Sequence, residues 1–249
     1  MADDVIAIAE RVRRGETTAL AVAEEALARI AARNGELNAF LTVSTVEVLE
    51  QARAFARGPR TARSLVFLFV GAEEKGLLGA EYYNQHPLYP LARTVAVINL
   101  DPHVVLPKAR NLELIGPGQS DLERLLERAA AEQGLRVDPE PNPEAGWYFR
   151  SDHYPFAQRG VPALAFRAGR DLQSGGLAAG QRAVTSYNQR CYHQPCDAFD
   201  PRWTFAGTVQ EALAAFRVGQ MLANSGDWPE WAVKSPYRAA RATSAAERR

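Results

Sequence analysis

Apolar and polar positions fall into two textures along this chain, and the change comes near residue 64. Before it the spacing is helical. Ile6, Ile8, Ala9 and Val12 mark one helix face, Gly15-Glu16-Thr17-Thr18 interrupts, and Leu20, Ala23, Leu27 and Ile30 resume the pattern. Thr17 or Thr18 offers a hydroxyl to cap the second helix, and Asn34-Gly35, which tolerate left-handed backbone, end it. Residues 46–56 read as another helix, closed by Gly58-Pro59-Arg60. Beyond Ser64, short runs of Val, Leu and Phe alternate with amphipathic stretches. Strands are expected near 65–70, 94–100, 111–115 and 163–167, and helices near 77–85, 121–133 and 208–223. Such alternation builds layers around a sheet. The expected fold class is α/β: a layered α/β/α domain with a mostly parallel or mixed sheet, preceded by a helical N-terminal segment. Asp138-Pro139-Glu140-Pro141-Asn142-Pro143 reads as a stiff extended loop, and Ser174-Gly175-Gly176 as the start of a flexible stretch toward Gly180. The expected division is 1–45 helical segment, 46–232 main domain and 233–249 mobile basic tail.

Composition changes this picture only by exclusion. The 249 residues are 47% hydrophobic, enough for one good core or two small ones. Lys plus Arg and Asp plus Glu number 29 each, so the formal net charge is zero and no basic surface for nucleic acid or an anionic membrane is expected. No apolar run nears the roughly 20 residues of a membrane helix. Met1-Ala2-Asp3-Asp4-Val5-Ile6 lacks the basic and apolar regions of a signal peptide, so a cytoplasmic location is the default expectation. Cys191 and Cys196 are too few for a disulfide framework; they form a local bond or remain two thiols.

Candidate chemistry gathers at the ends of the expected strands. Glu73-Glu74 closes the run that starts at Leu65, and Asp101 closes Val95-Ala96-Val97-Ile98-Asn99-Leu100. Open α/β folds place their sites at the carboxyl ends of strands. Two adjacent carboxylates on a turn can point apart, one toward a metal and one toward a proton in transit. The plainer reading is an acidic turn before a helix N-terminus. Arg150-Ser151-Asp152-His153-Tyr154-Pro155-Phe156 and Cys191-Tyr192-His193-Gln194-Pro195-Cys196-Asp197 add acids and imidazoles. Glu, Asp and His are the oxygen and nitrogen donors that zinc accepts.

Taken in order, Phe67-Leu68-Phe69-Val70-Gly71-Ala72-Glu73-Glu74-Lys75-Gly76-Leu77-Leu78-Gly79, Ile98-Asn99-Leu100-Asp101, Ser151-Asp152-His153-Tyr154-Pro155-Phe156 and Tyr192-His193-Gln194-Pro195-Cys196-Asp197 resemble the M28 family of zinc peptidases, the aminopeptidase and glutaminyl-cyclase-like group. The resemblance runs from about Val46 to about Arg241. It implies a zinc-exopeptidase-like fold and hydrolysis of N-terminal peptide bonds. It also implies Glu73 as general base and acid, and Glu74, Asp101 and His193 as zinc ligands. Asp152 and Asp197 would orient those ligands by hydrogen bonding. Tyr148, Phe149 and Tyr154 would line a side-chain pocket or belong to the core. Peptides are the implied substrates; the oligomeric state is unassigned.

The chain departs from the family pattern upstream of Glu73. A His-x-Asp motif and an Asp bridging two zinc ions are expected there, but the histidines are His86, His103, His153 and His193, and no Asp lies between Asp4 and Glu73. The first strands of the family sheet are missing with them. Two dications about 3.5 Å apart repel by about 19 kcal/mol at an effective dielectric near 20. Without a bridging carboxylate, zero or one zinc is expected, with His103 or the cysteines as substitute donors. Residues 1–45, above all Ala28-Arg29-Ile30-Ala31-Ala32-Arg33-Asn34-Gly35-Glu36-Leu37-Asn38-Ala39-Phe40, resemble the N-terminal helical arm of the amidase signature family, whose lysine and serine-rich catalytic loop are not recognisable here. Three functions follow: an M28-type aminopeptidase, a non-catalytic fragment or pseudoenzyme of that fold, and an amidase-type hydrolase.

Overall fold

A computed structural model describes residues 5–37, 45, 46, 49, 50, 53 and 61–248. The chain divides into two units, Met1–Arg60 and Thr61–Arg249. In the first, α1 (Val5–Arg14) and α2 (Ala19–Leu37) flank the break at Gly15, whose φ is 75°. Thr18 Oγ1 accepts the Ala21 N–H at 3.0 Å, capping α2 as expected. The helix passes through Asn34-Gly35 to Leu37 instead of stopping there; one internal Gly costs only about 1 kcal/mol. Of the helix expected over 46–56, residues 46, 49, 50 and 53 are helical and the rest lies outside the described residues.

The second unit runs α3 (Leu78–Gln85), β1 (Val97–Leu100), β2 (Asn111–Ile115), α4 (Leu122–Ala131), β3 (Arg136–Pro139), α5 (Tyr154–Gln158), β4 (Ala163–Ala168), α6 (Gly176–Arg190), α7 (Ala206–Ala223) and α8 (Arg238–Thr243). The strands form a mixed sheet in the order β1-β4-β2-β3. β1 runs parallel to β4, β2 parallel to β3, and β2 antiparallel to β4. Alternation along β4 sends Leu164 and Phe166 to one face and Ala163 and Ala165 to the other. The first face is covered by α4 through Leu122 and Leu126 and by α7 through Ala214, Val218 and Leu222. The second packs against Tyr148, Ala157, Trp231 and Tyr237. The result is the layered α/β arrangement expected from the sequence. No helix among the described residues is long and apolar enough to cross a membrane.

Four segments differ from expectation. Residues 65–70 take no regular secondary structure and, among the described residues, join no strand, because side chains of the right kind do not make a strand without a hydrogen-bonding neighbour. Part of the stiff loop is β3: Pro139 is its last residue, and β3 is an edge strand, where a missing N–H is tolerated. The flexible stretch expected from Ser174 to Gly180 turns into α6 at Gly176. Gly180 is there for packing, since a Cβ would lie 2.0 Å from the Arg170 carbonyl oxygen. Within the stretch expected as a mobile basic tail, Arg238–Thr243 forms α8 and Arg241 is buried. Its guanidinium donates to the carbonyls of Thr94 and Val95 at 3.1 and 3.3 Å.

Glu211, buried on α7, accepts the Ala168 N–H at 3.0 Å. Burial pushes its pKa up to about 7, helped by the charge of Asp101 and opposed by the Ala168 hydrogen bond and by Arg167. An acid whose folded pKa is raised holds its proton in the native state after the unfolded chain has released it near 4.5. Stability is therefore expected to fall by up to about 3 kcal/mol as pH rises from about 4.5 through about 7. Urea unfolding midpoints at pH 5 and pH 8 test this: the drop should shrink in Glu211→Gln.

Candidate active site

Glu73 and Glu74 sit on a single 3-10 turn, Glu73–Lys75, between the irregular segment at 65–72 and α3. Ala72 and Leu77 take left-handed backbone, each at φ 59°, and Gly76 lies at φ 98°. The turn closes through hydrogen bonds from Gly76 and Leu77 to the Glu73 carbonyl and from Gly79 to Gly71. Gly79 has no room for a side chain: a Cβ would meet the Gly71 oxygen at 2.5 Å. Gly71, Gly76 and Gly79 thus let the chain turn tightly around the two carboxylates.

Asp101 follows β1 directly, at the carboxyl end of the strand. Ser151 Oγ donates to Asp101 Oδ2 at 2.6 Å and accepts from Asn99 Nδ2 at 2.8 Å. His193 lies in the turn after α6, at φ 58°, inside the loop closed by the Cys191–Cys196 disulfide. Its ring stacks on Tyr192 with centroids 3.8 Å apart, and Nε2 stands 2.7 Å from Glu74 Oε1. Asp197, beyond the disulfide, accepts from the Tyr187 hydroxyl at 2.8 Å.

Glu73, Glu74, Asp101, His193 and Asp197 all line one cavity of about 620 Å³. Asp152 does not line it. Among the described residues its buried Oδ1 has no hydrogen-bond partner, and burial and then the Asp101 charge raise its pKa. Among the described residues neither Asp152 nor Asp197 hydrogen-bonds to Glu74, Asp101 or His193. The orienting bond expected from an acid is made to Asp101 by Ser151, a hydroxyl. Asn99 and Ser151 went unassigned in the sequence, although Asn99 is two residues before Asp101 and shares its side of the strand. Tyr148 is core, whereas Phe149 and Tyr154 line the cavity with Trp147 and Tyr192. The guanidinium groups of Arg150 and Arg167 lie 5.0 and 5.4 Å from the Trp147 ring centre.

Charge is concentrated around Glu73. Burial raises its pKa first, and the negative charges of Asp101, Glu74 and Asp152 raise it further against the pull of Arg150. A carboxyl so placed can take a proton and release it again closer to neutrality than an exposed glutamate. Among the other imidazoles, His153 is fully buried against Tyr148, and burial lowers its pKa to about 4, so it is neutral. His103 is also shifted down by burial, and its Nε2–H donates to Asn188 Oδ1 at 2.7 Å.

Catalytic zinc takes three protein donors and keeps a fourth position open. The donor chemistry here is right, but the number is not. Glu74 and His193 face each other as a pair, Asp101 is held by Ser151, His103 by Asn188, and the cysteines are bonded to one another. Among the described residues no group of three or more His, Cys, Asp or Glu is placed to hold a metal ion. As arranged, these residues do not fit a catalytic zinc.

A family model described as Peptidase family M28 matches residues 42–217, well over half of the chain. Leupeptin-inactivating enzyme 1 of Streptomyces exfoliatus is 30% identical over 155 residues, which is 61% of this chain and 34% of that protein. The chain thus spans about a third of the length of this curated relative. Among solved structures, an aminopeptidase from Aneurinibacillus sp. strain AM-1 is similar at 23% identity and a TM-score of 0.45, over 74% of this chain and 40% of that one.

Proposed function

Because the chain belongs to peptidase family M28, we propose that its cavity receives the amino-terminal end of a peptide and that Glu73 carries the proton in hydrolysis of the first peptide bond. The observation behind this reading is the gathering of Glu73, Glu74 and Asp101 at one cavity, close enough for the last two to raise the pKa of the first. An ammonium about 4 Å from one such carboxylate gains about 4 kcal/mol at an effective dielectric near 20. The first side chain would rest against Trp147, Phe149 and Tyr192, which supply apolar wall. In the reaction, water oxygen adds to the carbonyl carbon and its proton passes to a Glu73 carboxylate oxygen. The same proton then goes to the leaving nitrogen as the C–N bond breaks. Ser151 keeps Asp101 in one rotamer by its 2.6 Å hydrogen bond, and Asn99 fixes the direction of that hydroxyl.

The Glu74–His193 pair favours a second reading, a peptide-binding chain that does not cleave, because each of these donors already satisfies the other. One experiment separates the two. Hydrolysis of leucine anilide is followed with and without added zinc, alongside calorimetric titration of a short unblocked peptide. Turnover supports the enzyme, and its dependence on zinc settles the metal requirement. Peptide binding without turnover supports the second reading. Absence of both overturns each.

A further inference from the structure

We propose that Arg150 and Arg167, held over Trp147, bind a carboxylate of the same peptide whose ammonium meets the acids of the cavity. The cavity then selects peptides that carry a carboxylate close to the amino terminus. This depends on the amino-terminal seating proposed above.

The cavity is lined by both signs of charge. Glu73, Glu74, Asp101 and Asp197 share it with Arg150 and Arg167. Arg150 is exposed, and among the described residues its guanidinium makes no ion pair and no hydrogen bond. Its charge is nonetheless felt at Glu73, where it opposes the neighbouring acids. Such a pull weakens with distance, so the cation stands near the acids without being joined to them. Two extended residues span at most about 7 Å, enough for a short peptide to bridge a gap of this kind.

Arg167, on β4, is engaged only through its Nε, by Glu113 Oε2 at 3.2 Å. Among the described residues its two Nη nitrogens make no hydrogen bond. Glu113 is already taken on both oxygens by Arg170. One carboxylate thus serves two guanidinium groups, and Glu211, which shares a small void with them, is favoured as neutral by burial. His103 adds no charge, since burial first, and then both arginines, lower its pKa. The cluster therefore holds more positive than negative charge, and Arg167 is the arginine of the pair that reaches the cavity. A buried cation without a counter-charge is costly, and an incoming carboxylate supplies one.

Trp147 holds both arginines in place. Their guanidinium carbons stand 5.0 and 5.4 Å from its ring centre, and the ring itself packs edge-on against His103 and Tyr192. A guanidinium over an aromatic face keeps its N–H edge free, and that edge takes a carboxylate by two parallel hydrogen bonds. The terminal carboxylate of a dipeptide and an acidic first side chain both offer this chemistry.

Calorimetric titration of Glu73→Gln, which should bind peptide without consuming it, is the test. Leucyl-glycinamide is the neutral reference. Leucyl-glycine adds a terminal carboxylate, and glutamyl-glycinamide adds one on the first side chain. At least one of the two should bind about 10- to 100-fold more tightly than the reference, and which one does identifies the source. In Glu73→Gln with Arg150→Gln that advantage should shrink to about threefold or less. Equal binding of all three peptides overturns the carboxylate site and leaves the amino-terminal seating standing. An advantage that survives Arg150→Gln in full overturns it as well. Binding of none of the three overturns the seating and the carboxylate site together. If the double variant does not fold, the three peptides on the chain with Arg150 intact decide alone.

Discussion

Glu73→Gln is expected to lower hydrolysis of an aminoacyl anilide by about 10²- to 10⁴-fold, the range associated with losing a positioned general base. The side chain keeps its size and its place on the turn, so the melting temperature should not move. The amide cannot accept the water proton, and the loss should fall on kcat with little change in KM. The pH profile carries the sharper information. With Glu73 as the proton carrier proposed above, its ionised form is the working form, and activity in the parent chain is expected to fall as pH drops through its pKa. That pKa lies above the ordinary 4.5 because of burial and the neighbouring Asp101, Glu74 and Asp152 charges. In Glu73→Gln this acid limb should vanish from whatever rate remains. A variant that keeps both rate and limb would move the proton-carrying role to another group.

Glu113→Gln is expected to cost about 3–5 kcal/mol of folding stability, the range found when one partner of a buried ion cluster is removed. Glu113 lies in the middle of β2 and is buried. It takes Arg170 on both oxygens, at 2.7 and 3.2 Å, and Arg167 at 3.2 Å. The two guanidinium-bearing side chains are only 9% and 12% exposed. Removing the one charge they share leaves two cations in the interior without compensation on β2, next to a Glu211 that burial favours as neutral. Against a total of about 5–15 kcal/mol for a typical domain, this is a large fraction. A fall in melting temperature of about 6–20 °C is expected by calorimetry, from about 2–4 °C per kcal/mol at this size. A change below 1 kcal/mol would mean that water reaches the cluster.

Much of the fold was legible because side-chain pattern and backbone demand agree. β2 and β4 are buried runs between turn residues, and their expected limits, 111–115 and 163–167, lie within a residue of the observed strands. The pattern misled where a residue serves its neighbours more than its own segment. The run at 65–70 has strand composition, yet pairing is a property of two backbones and only one is written in any stretch. Gly175, Gly176 and Gly180 suggested looseness, but Gly180 is small because the Arg170 carbonyl presses on it, and α6 continues past it. β3 hid behind Pro139 and two charged residues, which an edge strand accepts. Of the acids singled out in the sequence, Glu73, Glu74, Asp101 and Asp197 line one cavity, and only Asp101 follows an observed strand. Ser151 lies 50 residues from Asp101, so its hydrogen bond could not be read from local spacing.

The clamp of Arg241 on Thr94 and Val95 closes a gap of 147 residues along the chain. Among the described residues β1 is an edge strand, and α8, far later in the chain, supplies the donors for these carbonyls at its entry. Chains emerge from the ribosome amino terminus first. During synthesis the border of the sheet that carries Asp101 therefore waits for a partner that follows 147 residues later. Contacts of such long separation also slow folding, since the loop between them must be closed before the contact repays it. The nascent chain thus carries this border unsealed until α8 has been made.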